Sequence, residues 1–380
     1  MRLFLHSLFA ACFAVSLHSP VRAAGNADAA QLIAELNLKA TATPLQERSH
    51  WRPQRVLVML LPAMGLDSPA YIDALQAAAG DVELVLDRSG SFVPDAESLQ
   101  GVDGIIGFCS APLLQRADAD TLRWIHNYSV GMDYCTGLTP QQKDTLVFSN
   151  NQRLSAPAIA EHSMAMLLSI SRNLPAYHKA QLAREWNRNL AAGVTFGELK
   201  GKTLLVAGLG GIGTEIARRA HGLGMRVIAT RNSSRKGPDF VAYVGLADEL
   251  TSLASEADVV VNALPLTDDT TALFNKQFFA QVKPGAIFLS VGRGRSTVTA
   301  DLIAALQSGR LYGAGLDVTD PEPLPEDSPL WTMERVIITP HAAAAGSDTD
   351  ARTMLIAAEN LRRYVAGEPL LNVVDIERGY

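Results

Sequence analysis

Residues 202–235 read KTLLVAGLGGIGTEIARRAHGLGMRVIATRNSSR, and the reading of this stretch decides the fold. Residues 203–207 are an apolar run of the length of a buried strand. The run ends in Gly208-Leu209-Gly210-Gly211-Ile212-Gly213, which is G-x-G-x-x-G. Ile212, Ile216, Ala220 and Leu223 then recur at helical spacing, and residues 225–230 form a second strand. Glycines alone often mark nothing more than a tight turn. Between a strand and a helix they have the context of a dinucleotide site. The first glycine permits the sharp turn, the second lets a pyrophosphate approach the backbone, and the third lets helix pack on strand. The helix N-terminus offers its unpaired N–H groups and positive dipole end to the phosphates.

Around this unit the chain has room for about two domains, at ~150 residues each. A hydrophobic content of 48% and a charged content of 19% are ordinary for a globular protein. The net charge of −6 and the lack of a Lys/Arg cluster interleaved with aromatics exclude a nucleic-acid surface. The beginning is different. Met1-Arg2 is a short basic start, residues 3–17 are largely apolar, and Val21-Arg22-Ala23 is a small-x-small site. That layout is a secretory signal peptide, too short to span a bilayer, and no second segment could be transmembrane. The alternative is a cytoplasmic extension from a misassigned start. Cleavage after Ala23 would remove Arg2 and Arg22 and no acid, taking the charge from −6 to −8. Cys12 would leave with it, and Cys109 and Cys135 remain, without metal-ligand spacing.

From Arg55 strands and helices alternate. Strands are expected at 56–61, 82–86, 104–108, 122–128 and 145–148, with a helix at 69–79. A long helix follows at 156–172 and a second at 176–190. Beyond the glycine unit, strands are expected at 259–264, 286–291, 313–318 and 336–338, and helices at 248–256, 300–307 and 351–365. The alternation implies parallel sheets. The expected architecture is α/β, two Rossmann-like doubly wound parallel-sheet domains with the cofactor domain inserted in the substrate domain. In order these are a signal peptide (1–23), a linker or extension (24–54), the first part of the substrate-binding domain (55–155), a dinucleotide-binding domain (156–342), and a return to the substrate domain (343–380).

Three charged groups follow the fingerprint. Arg293 lies in Ser290-Val291-Gly292-Arg293-Gly294, Glu322 before Pro323, and His341 in Thr339-Pro340-His341. Carboxyl ends of strands in an open parallel sheet line the ligand crevice, so all three belong on the cofactor's side. A cation, a carboxylate and a histidine suit a 2-oxo acid: the arginine holds the carboxylate, and the His–Glu pair supplies the proton. Asp320 is the competing acid.

These motifs resemble the D-isomer-specific 2-hydroxyacid dehydrogenase family from about residue 55 to 374. The residues that carry the likeness are Ser129-Val130-Gly131-Met132-Asp133, Ala160-Glu161, the glycine fingerprint, Leu264-Pro265-Leu266-Thr267 with Thr270, Arg293-Gly294, residues 317–325 and Thr339-Pro340-His341. The resemblance implies Arg293 as the carboxylate-binding group, His341 as general acid and base, and Glu322 as its partner. The N–H groups of Val130 and Gly131 would help hold the carboxylate. Gly208, Gly210, Gly211, Ile212, Gly213, Pro265, Thr270 and Val291 would lie along the nucleotide, with Asp317 on the nicotinamide amide. Ser290 stands where the family usually has Asn, and residues 342–345 replace a glycine-containing run. Glu322 in place of Gln sets the chain apart from the family's formate dehydrogenases.

The activity implied is NAD(P)-dependent interconversion of a small 2-oxo acid and a D-2-hydroxy acid. The alternative is a nucleotide-sensing binding protein on the same fold, like the C-terminal-binding corepressors, which keep the same three residues. An NAD-preferring site usually carries an acid at the end of the second strand. Arg231 stands there, followed by Ser233, Ser234 and Arg235, so NADP(H) is expected over NAD(H). The family resemblance implies a homodimer through residues 156–190. The leader implies export, in tension with dinucleotide use. Cys109 and Cys135 should be close, both bordering the substrate pocket, with two free thiols the expectation and a disulfide the alternative.

Overall fold

The computed structural model describes residues 26–48, 51–232 and 234–376; the leader, Cys12 and Ser233 lie outside the described residues. Two all-parallel sheets organise the chain. The first contains β1 (Arg55–Met59), β2 (Glu83–Asp87), β3 (Gly104–Gly107), β4 (Trp124–Asn127) and β5 (Val147–Asn150), in the order β2-β1-β3-β4-β5. The second contains β6 (Thr203–Ala207), β7 (Arg226–Thr230), β8 (Tyr243–Gly245), β9 (Val259–Asn262), β10 (Ala286–Ser290), β11 (Leu311–Leu316) and β12 (Val336–Ile338). Its order is β12-β11-β10-β9-β6-β7-β8, with the chain reversing direction across the sheet beside β6.

The apolar runs are continuous because both sheet faces are covered. On β6, Leu204 and Val206 join one buried cluster, with Ile159, Leu167, Ile216 and Ala220 from helices. Leu205 and Ala207 face the opposite way and pack with Leu253, Phe274 and Phe278. The period-two alternation of a strand thus feeds two cores. The helix Ser347–Ala366 returns to the first sheet, where Met354, Ala357, Leu361 and Tyr364 share a core with β1, β3 and β4. Residues 24–54, expected as a linker, include a docked segment. Leu38 is buried with Leu154, Ile356 and Leu371, and Ala40 bridges Leu371.

Two expectations need correction. The helix expected at 176–190 spans Leu174–Leu182 and stops there. Arg184 turns into the left-handed region at φ 58°, and the next turn is a 3-10 segment at Arg188–Gly193. β8 was not expected: three residues are too few to show a period, and as an edge strand it pairs only with β7.

Candidate active site

The site is built where strand ends of the two sheets meet. β10, β11 and β12 are adjacent and parallel, so their carboxyl ends lie side by side. Arg293 follows β10, Asp317 and Glu322 follow β11, and His341 follows β12. His341 Nδ1 lies 3.1 Å from Glu322 Oε2, with both side chains partly exposed. Glu322 Oε1 accepts from the Thr319 N–H at 3.0 Å, which fixes the carboxylate. Asp320 makes no side-chain pair with His341; its carbonyl accepts from Thr299. Glu322, not Asp320, is therefore the imidazole's partner.

His341 holds a left-handed backbone, φ 53°, uncommon for a non-glycine residue. Its N–H donates to the Asp317 carbonyl at 2.8 Å. The buried Asp317 carboxylate accepts from Thr339 Oγ1 (2.7 Å) and from the N–H groups of Ala342 (2.8 Å) and Ala343 (3.1 Å). Asp317 thus supports the turn that carries His341. His162 adds a second brace, Nε2 to Thr339 Oγ1 at 2.9 Å. Sequence reasoning missed both supports, because each joins segments far apart in the chain.

Arg293 reaches across to the first sheet. Its Nε donates to Asp133 Oδ1 at 3.1 Å, and its Nη1 donates to the Gly292 carbonyl at 3.0 Å. Nη2 sits so close to Gly131 that a Cβ there would lie 1.8 Å from it. The Val130–Gly131 turn is held from below by two buried asparagines at strand ends. Asn150 Nδ2 donates to the Val130 carbonyl at 2.6 Å, and Asn127 Nδ2 to the Gly131 carbonyl at 3.0 Å. Among the described residues no acceptor takes the N–H of Val130 or Gly131. The guanidinium and this turn together form a pocket edge suited to a carboxylate.

Cys109 and Cys135, expected as free thiols, are joined in a disulfide. β3 and β4 pair in register to Gly107 and Asn127, so the loops after them run together. The Cα atoms stand 5.3 Å apart, within the span a disulfide bridges.

The glycine turn fits a dinucleotide. Gly208 takes φ 94° in the turn after β6. A Cβ on Gly213 would lie 2.1 Å from the Gly208 carbonyl oxygen, so only glycine lets the helix Gly211–Gly222 start there. At Gly210 an added Cβ meets nothing within 4 Å, which leaves the backbone open to a phosphate. Ile212 is half-buried behind the turn. Thr270 Oγ1 donates to the Pro265 carbonyl at 2.7 Å and shapes the loop after β9. Val291 is buried, its N–H on the Asn262 carbonyl at 3.0 Å. Ser290 accepts from Asn262 Nδ2 at 3.1 Å, so Asn262 supplies an amide beside the position where the family usually carries Asn. Arg231 follows β7 and donates from Nη1 to the Lys236 carbonyl at 2.8 Å. Arg235 is engaged by Glu249 at 2.7 Å.

Residues 164–343 match the family described as D-isomer specific 2-hydroxyacid dehydrogenase, NAD binding domain. The chain is 38% identical over 220 residues to glyoxylate/hydroxypyruvate reductase B of Enterobacter sp. (strain 638), covering 57% of this chain and 67% of that protein. It is 32% identical over 309 residues to glyoxylate reductase/hydroxypyruvate reductase of Mus musculus, covering 80% and 94%. A solved NADPH-dependent glyoxylate/hydroxypyruvate reductase from Sinorhizobium meliloti, in complex with NADP and sulfate, superposes with a TM-score of 0.68. It is 28% identical and covers 86% of this chain and 100% of that one.

Proposed function

This chain belongs to the D-isomer-specific 2-hydroxyacid dehydrogenase family, and we propose that Arg293, Glu322 and His341 carry out its reaction, reduction of a small 2-oxo acid to a D-2-hydroxy acid. The observation that carries the assignment is the pairing of a guanidinium held over Gly131 with an imidazole held on Glu322. Its relatives are named as glyoxylate and hydroxypyruvate reductases, which makes glyoxylate and hydroxypyruvate the first substrates to offer. The bound nicotinamide supplies the hydride. Arg293 and the free N–H groups of Val130 and Gly131 bind the carboxylate and orient the carbonyl. His341 donates the proton to the carbonyl oxygen from its ring nitrogen remote from Glu322, and takes it back in oxidation. Glu322, itself held by the Thr319 N–H, orients the ring.

Gly208, Gly210, Gly211, Ile212, Gly213, Pro265, Thr270 and Val291 would hold the nucleotide. Our assignment of NADP(H) over NAD(H) is supported by Arg231 at the end of β7, where an acid would repel a 2′-phosphate. Arg235 is paired with Glu249, so Arg231 bears most of that preference. A homodimer through the segment after Ala156 is supported by the apolar side chains exposed there: Leu174, Leu182 (72%) and Trp186 (92%). Export is supported by the leader and by the Cys109–Cys135 bridge, since disulfides persist in oxidising compartments.

The test is oxidation of NADPH by glyoxylate, hydroxypyruvate or pyruvate, with wild type, Arg293→Ala and His341→Ala compared. Both variants should retain NADPH binding and lose at least ~100-fold in kcat/KM. A variant at either position with wild-type turnover overturns the assignment.

A further inference from the structure

We propose that the Cys109–Cys135 disulfide is a positioning element of the substrate site, holding the turn at residues 130–133 in the geometry that receives a 2-oxo acid's carboxylate. Affinity for the oxo acid then depends on the bridge, and affinity for the dinucleotide does not. The inference rests on the carboxylate-binding role assigned above to Val130, Gly131 and Arg293.

Residues 129–135 lie outside any helix or strand, beyond the Tyr128 N–H to Gly107 carbonyl bond that closes the ladder of β3 and β4. They are held by individual ties. Asn127 is the central one. Its Oδ1 accepts from the Cys109 N–H at 3.1 Å, while its Nδ2 donates to the Gly131 carbonyl at 3.0 Å. One buried amide thus links the first half-cystine to the substrate turn. The second half-cystine ties the other end: the Cys135 N–H donates to the Met132 carbonyl at 2.9 Å. Met132 and Cys135 are both buried in the core of the first sheet. Between them, Asp133 receives Arg293. The turn is therefore bracketed by a cross-brace, covalent through the cystine and hydrogen-bonded through Asn127.

Without the sulfur–sulfur bond, Cys135 is anchored only by packing and one backbone hydrogen bond. The loop after β3 and the loop after β4 are then joined through the Asn127 amide without the covalent tie, and Asp133, between Met132 and Cys135, gains freedom. Both half-cystines are buried, 4% and 6% exposed, so the bridge is part of the packed core of the first sheet and serves as a fixed brace. The residues assigned to the nucleotide all lie on the other sheet, at the ends of β6, β7, β9 and β10. Loosening the brace leaves them in place.

The experiment compares wild type with Cys109→Ala/Cys135→Ala. It measures KM for glyoxylate, kcat, the dissociation constant of NADPH, and amide hydrogen exchange at residues 129–134. We expect KM for glyoxylate to rise about tenfold or more, because a carboxylate clamp displaced by ~1 Å loses much of its grip. NADPH affinity should stay within about twofold. Exchange should quicken at 129–134 and not in the glycine turn. A merely structural bridge would instead lower the melting temperature and weaken both ligands together. If the double variant does not fold, wild type treated with a phosphine while saturated with NADPH replaces it; the phosphine takes oxygen from water and leaves two thiols. An unchanged KM with the bridge demonstrably absent overturns the proposal, as do two free thiols in the denatured, unreduced native protein. No turnover of any oxo acid by the oxidised enzyme, with exchange at 129–134 still quickened by loss of the bridge, overturns the reductase assignment and leaves the brace standing.

Discussion

Gly131→Ala is the smallest change that tests the carboxylate site. The new methyl carbon would lie 1.8 Å from Arg293 Nη2, 2.8 Å from Arg293 Cζ and 2.5 Å from Asp133 Oδ1. Unstrained contact needs about 3.5 Å, so the guanidinium must retreat by about 1.7 Å. Gly131 is not among the residues of positive φ, so alanine is compatible with its backbone, and the strain falls on the Arg293 and Asp133 side chains rather than on the backbone of the turn. Displacing a positioning group by ~1 Å costs about 10²-fold. We therefore expect kcat/KM for the oxo acid to fall about 100-fold, or about 2.7 kcal/mol of transition-state stabilisation. The melting temperature and the NADPH dissociation constant should hardly change, because the nucleotide residues lie on the other sheet. Steady-state kinetics with glyoxylate at saturating NADPH, beside a fluorescence titration of NADPH, gives both numbers. A kcat/KM within about threefold of wild type would refute the placement of Arg293 over Gly131 as the productive one.

Glu322→Gln should leave NADPH binding intact and cost reduction about tenfold to a hundredfold, because the imidazole loses the carboxylate that orients it. Asp320→Asn, in the same assay, should leave turnover in place. Arg231→Asp should weaken NADPH binding at least about tenfold more than NADH binding, measured by fluorescence titration of each; equal efficiency of the two cofactors in wild type refutes the preference. His126 is buried on β4, and burial pushes its imidazole down to about 4. The unfolded chain, with histidine near 6.5, binds the extra proton first. Stability from this residue is therefore complete above about pH 6.5 and is lost as pH falls toward 4, by up to about 3 kcal/mol. Urea titrations across that window should show the loss in wild type and a shallower one in His126→Gln.

The glycine unit was legible because its chemistry is local: strand, turn and helix are contiguous, and Gly213 answers to the Gly208 carbonyl five residues before it. Arg293, Glu322 and His341 were legible for a related reason. Each directly follows a strand, and parallel strands deliver their carboxyl ends to one edge. The supports were not legible. Asp133 shows no role in the sequence, because its partner Arg293 is 160 residues away. Asn127 and Asn150 did leave a signal, a carboxamide closing each of two otherwise largely buried strands, Trp-Ile-His-Asn and Val-Phe-Ser-Asn. A polar group there needs a partner, and the next loop is the nearest source of one. The bridge was underestimated because sequence alone does not reveal that β3 and β4 are neighbours.

An acid beside the arginine that must bind an anion looks like a cost. Asp133 offsets part of the Arg293 charge and repels an incoming carboxylate. Two features explain why the arrangement serves a catalyst. Asp133 engages Nε and the Gly292 carbonyl engages Nη1, so Nη2, which lies over Gly131, remains for the substrate. And affinity for the ground state is not what accelerates the reaction. An interaction of equal strength in substrate and transition state lowers KM without raising kcat. A guanidinium left to swing would bind a carboxylate in several poses, few of which align the carbonyl between the hydride donor and His341. Pinning Nε to Asp133 and Nη1 to the Gly292 carbonyl removes most of those poses at the expense of some attraction. Orientation can supply several kcal/mol of a barrier, more than a partly exposed ion pair gives up. The acid thus belongs to the carboxylate site as the group that fixes its direction.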